Sequence, residues 1–154
     1  IVWMFFVAGI ATFVYGLFLK KKIKFKKNYK HHVKAIVVGV IVAFLFQLIT
    51  KVNLIYAMIV FGFVGAFFIW IERRDLIEHS LIGGLSFLVV YFSAFSLFNT
   101  IFPYFLDEFY VLQGTTGIWF LGLPFEEHLY AFSFGLLWAP IYEYEHGEKD
   151  VDLK

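Results

Sequence analysis

Two adjacent glutamates, Glu126 and Glu127, lie in a strongly apolar stretch and are the sequence's clearest candidates for chemistry. Pro124 precedes them, and a proline fits the first turn of a helix, where its missing N–H costs no hydrogen bond. The pattern therefore predicts that both carboxyls lie in a first helical turn. Because apolar residues flank that turn on both sides, we expect both carboxyls to lie within the thickness of a bilayer, where ionisable groups are candidates for function.

Two effects compete for the proton of these carboxyls. Burial in an apolar site favours the neutral acid, whereas a helix N-terminus favours the anion by about 0.3–1 kcal/mol at an exposed site. We expect burial to dominate if either group is desolvated, which gives the pair a proton that it can donate. Two adjacent carboxyls also resist ionising together. The sequence leaves open which glutamate is the acid and which is the base.

Aromatic residues surround the two glutamates in sequence: Trp119, Phe120, Phe125, Tyr130, Phe132, Phe134 and Trp138. The face of such a ring stabilises a cation by about 0.5–2 kcal/mol. An acid with an aromatic lining suits chemistry that protonates an alkene and shelters the resulting carbocation. The alternative interpretation is that the glutamates cap an interfacial helix and that the rings form a membrane-interface belt.

The elements that must position these residues are predicted from composition. The chain has 154 residues, of which 61% are hydrophobic and 16% charged, and its mean hydropathy is +0.78. Soluble domains are about 45–50% apolar and about 25% charged. Apolar blocks of about 20 residues span a bilayer core, and we identify five blocks, at about Ile1–Leu19, Ala35–Thr50, Leu54–Ile71, Leu76–Phe98 and Gly117–Tyr142. Because backbone groups in lipid must bond within their segment, the prediction is an all-α, polytopic transmembrane bundle of about five helices.

The charges are few but unevenly distributed. Eight lysines lie between Lys20 and Lys34, and Arg73 and Arg74 follow the third block. Positive charge on short loops marks the cytoplasmic side, so we expect these two loops to be cytoplasmic, the loop 99–116 to be outside and the acidic tail 143–154 to be inside. The lysines predict contact with anionic lipid. The net charge of +1 indicates no nucleic-acid partner, and the absence of cysteine excludes a thiolate metal site.

The segment Leu123-Pro124-Phe125-Glu126-Glu127-His128-Leu129-Tyr130-Ala131-Phe132 resembles the Pro-x-Glu-Glu motif of the membrane-integral lycopene cyclase family, which opens an aromatic helix. The preceding Gly117-Ile118-Trp119 and the turn Arg73-Arg74-Asp75 are also similar to that family. The resemblance covers about residues 54–142. One departure is His128-Leu129-Tyr130, where the family usually has more phenylalanine.

The resemblance implies a carotenoid end-group cyclase located in a multi-pass cell membrane, an isomerase of the intramolecular lyase type. Its substrate would be a linear carotenoid. Glu126 and Glu127 would form the acid–base pair, and Trp119, Phe120 and Tyr130, together with Pro124, would contact the substrate and stabilise its cation. No metal or nucleotide motif occurs in the sequence, and this chemistry requires neither a metal nor a cofactor.

The resemblance also implies a domain organisation, because family members carry two similar three-helix halves joined by an extra helix. Residues 1–19 would be the last helix of a truncated first repeat, and 20–53 the lysine-rich cytoplasmic loop and linking helix. Residues 54–142 would be the second repeat, and 143–154 the cytoplasmic tail. The chain would then be the C-terminal part of a seven-helix pseudo-repeat protein, whose missing half lies upstream or on a partner subunit.

Two other functions remain open from the sequence. An intramembrane CAAX-type protease also begins a motif with Glu-Glu, but that family has arginine four residues after the second glutamate, where this chain has Ala131. The second alternative is a non-catalytic membrane subunit, or a protein that binds carotenoid or lipid, in which the carboxyls serve structure or binding.

Overall fold

The computed structural model describes residues 33–104 and 113–146, together with positions 9, 23–24 and 149–150. Helices account for most of this part of the chain, which confirms the predicted all-α class. In chain order the elements are β1 (Ile23–Lys24), α1 (Lys34–Thr50), α2 (Leu54–Glu72), a 3₁₀ turn (Arg74–Leu76), α3 (Ile77–Ile101), β2 (Trp119–Phe120), β3 (Leu123–Pro124), α4 (Phe125–Trp138), α5 (Ile141–His146) and β4 (Lys149–Asp150).

Three of the predicted apolar blocks correspond closely to α1, α2 and α3. Two helical segments of the described chain are long and apolar enough to cross a membrane, namely α2 and the segment Arg74–Ile101 that contains α3. The first predicted block, Ile1–Leu19, falls outside the described residues apart from Gly9, which is helical. Most of the lysine-rich loop and of the acidic tail also falls outside them.

The fifth predicted block is wrong at its start. It was expected to be helical from about Gly117, but a short antiparallel hairpin of β2 and β3 precedes the helix, with Trp119 opposite Pro124. Leu121 and Gly122 both have positive φ, at 49° and 81°, which is the signature of a tight two-residue hairpin turn. The helix therefore begins only at Phe125.

Asn53 fixes the start of α2 and ties it to the loop that leads to the hairpin. Its side-chain oxygen accepts a hydrogen bond from the Ile55 N–H at 3.1 Å, the usual role of an N-cap asparagine. Its side-chain amide donates to the backbone oxygen of Gln113 at 3.0 Å. The N-terminal end of α2 and the loop before α4 are therefore held together.

Helix α4 packs against both α2 and α3, and α1 packs on α2. Glycine permits the close approach: a Cβ added at Gly62 of α2 would lie 2.7 Å from the backbone of Ser133 in α4. On the other side, a Cβ at Gly135 would lie 2.8 Å from the Gly83 oxygen of α3. Small residues at such contacts are typical of helices that associate in membranes. The helix that carries both glutamates is thus the one that contacts two neighbours at backbone distance.

Polar contacts hold the far end of the bundle. Arg73, only 7% exposed, makes an ion pair with Asp75 at 2.6 Å and donates to the backbone oxygen of Glu143 at 3.5 Å. The Tyr144 hydroxyl donates to Glu72 at 2.5 Å. The turn between α2 and α3 is therefore joined to α5, at the end of the bundle opposite the N-terminus of α4.

Candidate active site at the N-terminus of α4

Pro124 and the hairpin set the position at which α4 begins. Pro124 is the residue before the helix, with φ −57° and ψ 139°, and its ring is fully buried. The Phe125 N–H donates to the Ile118 oxygen across the hairpin at 2.9 Å. Glu126 and Glu127 consequently occupy the first turn of α4, as the sequence predicted.

The Glu126 carboxyl is almost completely buried, with 1% of the residue exposed. One oxygen, Oε1, accepts two hydrogen bonds, from the Tyr56 hydroxyl of α2 at 2.8 Å and from the Thr116 backbone N–H at 2.6 Å. The other oxygen, Oε2, is buried and has no hydrogen-bond partner among the described residues. The two donors on Oε1 hold the carboxyl in place.

The Glu127 carboxyl is 7% exposed and faces the other neighbouring helix. Its Oε2 accepts a hydrogen bond from the Tyr91 hydroxyl of α3 at 2.5 Å. Tyr130, one turn further along α4, places its ring edge-on to Tyr91 at 6.3 Å between ring centroids. The two consecutive glutamates are thus held by tyrosines of two different helices.

A continuous set of aromatic rings extends from this point along the α3–α4 contact. Tyr91 stacks on Phe87 at 6.1 Å, and Phe87 packs on Phe134 at 5.4 Å. Phe134 in turn stacks on Trp138 at 5.5 Å. Ring faces attract positive charge, so this wall can shelter a cation that forms beside Glu127.

The residues expected to contact substrate are not all in one place. Tyr130 is buried next to the glutamates, with 8% exposed. Trp119 and Phe120 lie in β2 and are 46% and 52% exposed. Phe120 packs edge-on to the His128 imidazole at 5.3 Å. The substrate-contact roles of these residues and of Pro124 stay predictions, and Trp119 lies at the outer surface of the hairpin.

Sequence reasoning missed the two tyrosines that hold the glutamates. Tyr56 and Tyr91 each carry a hydroxyl into an apolar stretch of α2 and α3, and a hydroxyl in such a stretch is the signal that could have identified them. Their pairing with particular carboxyls depends on which faces of three helices meet, which no local pattern specifies. No group of three or more potential metal ligands occurs among the described residues.

The comparisons with known proteins agree with the motif. The family model described as Lycopene cyclase matches residues 53–145, which is more than half of the chain and contains α2, α3, the hairpin and α4. No curated protein and no solved structure gives a significant match. The resemblance inferred from the Pro-x-Glu-Glu segment is therefore confirmed, and the chain belongs to the lycopene cyclase family.

Proposed function

We propose that this protein cyclises the end group of a linear carotenoid within a membrane, with Glu126 and Glu127 as its acid–base pair. Family membership supports a carotenoid cyclase. The observation that carries the site assignment is the burial of two adjacent carboxyls, each hydrogen-bonded to a tyrosine of a different helix, at one end of an aromatic wall. General acid–base groups of this kind contribute about 10²–10⁴-fold to a rate.

The proposed reaction is an isomerisation with no net change in redox state. A carboxylic acid of the pair adds a proton to the terminal double bond, which leaves a tertiary carbocation. An internal alkene attacks that cation, so that a new C–C bond closes a six-membered ring and the charge moves onto the ring. Loss of a ring proton to a base then leaves its electron pair as the ring double bond. The aromatic wall lowers the energy of the cationic intermediates.

The membrane location is supported by the outer surface of the bundle. Apolar side chains are exposed along its helices, including Ile49 of α1 at 80%, Phe67 of α2 at 60% and Val89 of α3 at 63%. Monomeric soluble proteins rarely expose apolar surface of such extent. Membrane lipids are the partners that would cover this surface.

We further propose that a second three-helix half, on the same chain or on a partner subunit, completes the pocket with its own acidic motif. The resemblance to a two-half family supports this arrangement. The test is a search of the gene, and of its partner genes, for a second Pro-x-Glu-Glu motif or a close variant. Its absence would remove the repeat argument without affecting Glu126 and Glu127.

The function is tested by expressing the complete gene product in lycopene-accumulating cells and separating the pigments by chromatography. We expect ring-bearing products from the wild type and their loss in Glu126→Gln and in Glu127→Gln. Glu78→Gln is the matched control, because Glu78 is an exposed glutamate in the first turn of α3. Cyclic products that persist in both site variants would contradict the acid–base assignment.

A non-catalytic carotenoid- or lipid-binding protein is the second candidate. An open apolar groove of about 270 Å³ lies between α1 and α2, lined by residues that include Val40, Phe44, Ala57 and Phe61. An acyl or polyene chain is the kind of ligand that such a groove would contact. Unchanged lycopene in cells expressing the wild type, together with pigment that copurifies with the protein, would favour this candidate over the cyclase.

A further inference from the structure

His128, the residue after the two glutamates, is held in a fixed orientation. Its imidazole lies against Phe92 of α3, with ring centroids 5.7 Å apart and an angle of 33° between the planes. Phe120 of the hairpin packs edge-on to the same imidazole at 5.3 Å. The imidazole is therefore confined by two phenylalanines from two different elements.

The backbone contact of His128 determines its tautomer. Nδ1 lies 3.2 Å from the backbone oxygen of Pro124. A carbonyl oxygen can only accept a hydrogen bond, so Nδ1 must carry the hydrogen, and in the neutral ring Nε2 then carries a lone pair. Nε2 is buried and has no hydrogen-bond partner among the described residues. The site thus presents a bare acceptor in apolar surroundings, which is unfavourable unless the acceptor is used.

The surroundings limit what can use this lone pair. A buried water needs two to four polar partners, and the two phenylalanines packed on the imidazole offer none. A hydrocarbon substrate has no O–H or N–H donor either. With water and hydrogen-bond donors set aside, the species left for Nε2 to accept is a proton released by the substrate.

We propose that His128 is the base that removes the ring proton in the last step of cyclisation, an assignment that rests on the proposed function. The C–H bond breaks, its electron pair becomes the ring double bond, and the proton forms an N–H bond at Nε2. The cycle closes when the imidazolium releases this proton and the initiating carboxylate takes one up, so the enzyme is restored and nothing is oxidised or reduced. One carboxyl of the Glu126–Glu127 pair supplies the initial proton, and His128 takes the base role that the pair would otherwise have to fill.

The contacts of the imidazole suit a ring that becomes positively charged. Phe92 lies 5.7 Å away with its plane tilted by 33° to the imidazole, within the range over which an aromatic face attracts a cation. The Nδ1–H bond to the Pro124 oxygen stays in place when Nε2 gains a proton and keeps the ring oriented, as the orienting partner of a catalytic histidine does.

The test uses the complete gene product carrying His128→Phe, which keeps an aromatic ring between Phe92 and Phe120 but removes the lone pair. Membranes are incubated with lycopene in D₂O buffer, and both cyclic products and recovered lycopene are analysed by mass spectrometry. We expect ring formation to fall by about 10²–10⁴-fold. Recovered lycopene should still gain deuterium at its end group, because protonation of the alkene and its reversal do not need His128. Glu127→Gln, which removes a member of the initiating pair, should lose both signals.

Two results would overturn the role of His128. The first is ring formation at the wild-type rate and with the wild-type products in His128→Phe. The second is the loss of deuterium uptake together with ring formation in a His128→Phe protein whose thermal unfolding matches that of the wild type. A wild type that neither deuterates nor cyclises lycopene would instead overturn the proposed function itself, so the two failures are distinguishable.

Discussion

Replacing Tyr91 by phenylalanine isolates the contribution of one hydroxyl to the candidate site. The hydroxyl donates to Glu127 Oε2 at 2.5 Å, and the two residues are only 8% and 7% exposed. The ring of Tyr91 also packs on Phe87 and Tyr130, and phenylalanine preserves those contacts. Tyr91→Phe therefore removes a hydrogen bond and leaves the aromatic wall in place.

The expected magnitude follows from burial. Because neither partner of the Tyr91–Glu127 bond is open to water, solvent cannot replace the lost donor. A hydrogen bond to a charged group contributes about 1.5–3 kcal/mol. If Glu127 gives up its proton in the transition state, the bond strengthens from about 0.5–1.5 kcal/mol for a neutral pair to that of a charged one. Loss of this difference of about 1–1.5 kcal/mol slows cyclisation by about 5–13-fold, since only the part gained in the transition state counts and each 1.36 kcal/mol corresponds to a factor of ten. The Glu127 side chain should also become less well oriented, which acts in the same direction.

The assay is the initial rate of ring formation in membranes that contain equal amounts of the two proteins. Tyr104→Phe is the matched control, since Tyr104 is 70% exposed, and it should cyclise at the wild-type rate. A Tyr91→Phe protein with wild-type rates and products would refute the reasoning, because it would show that the orientation of Glu127 does not limit the reaction.

Two further predictions concern stability. Gly62→Ala places a Cβ 2.7 Å from the Ser133 backbone. It should destabilise the α2–α4 contact by about 1–3 kcal/mol, the usual cost of overpacking. Thermal unfolding in detergent measures this loss, and Val89→Ala on the exposed surface is the control. Burial and the hydrogen bond to Glu72 raise the pKa of Tyr144 above its ordinary value of 10.0. A raised folded-state pKa means that this contribution is fully present below about pH 10 and is lost as the pH rises further. Wild-type Tm should therefore fall more steeply above pH 10 than that of Tyr144→Phe, and equal slopes would exclude this linkage.

The sequence predicted the elements that depend on local pattern. The apolar blocks gave α1, α2 and α3, because about 20 apolar residues between polar turns leave few alternatives to a helix. The first-turn position of Glu126 and Glu127 followed from Pro124.

The hairpin before α4 could not be predicted from the same pattern. Its residues are apolar and aromatic, so hydrophobicity alone continues the helical block back to about Gly117. Leu121 and Gly122 decide the structure here, because both have positive φ. These two residues form a tight hairpin turn, which helical backbone does not permit. Phe120 consequently lies in the hairpin and contacts His128. Helical spacing does not predict this contact.

The different partners of the two glutamates follow from helix geometry. Consecutive residues on a helix point about 100° apart, so Glu126 and Glu127 cannot both face the same neighbour. Glu126 meets Tyr56 of α2 and Glu127 meets Tyr91 of α3, which requires α4 to lie between those helices. The glycines on each side of α4 allow that close approach. An adjacent pair of acids is therefore a way for one helix to present two differently held carboxyls at one level of the bundle, and the tyrosines give each carboxyl its own environment.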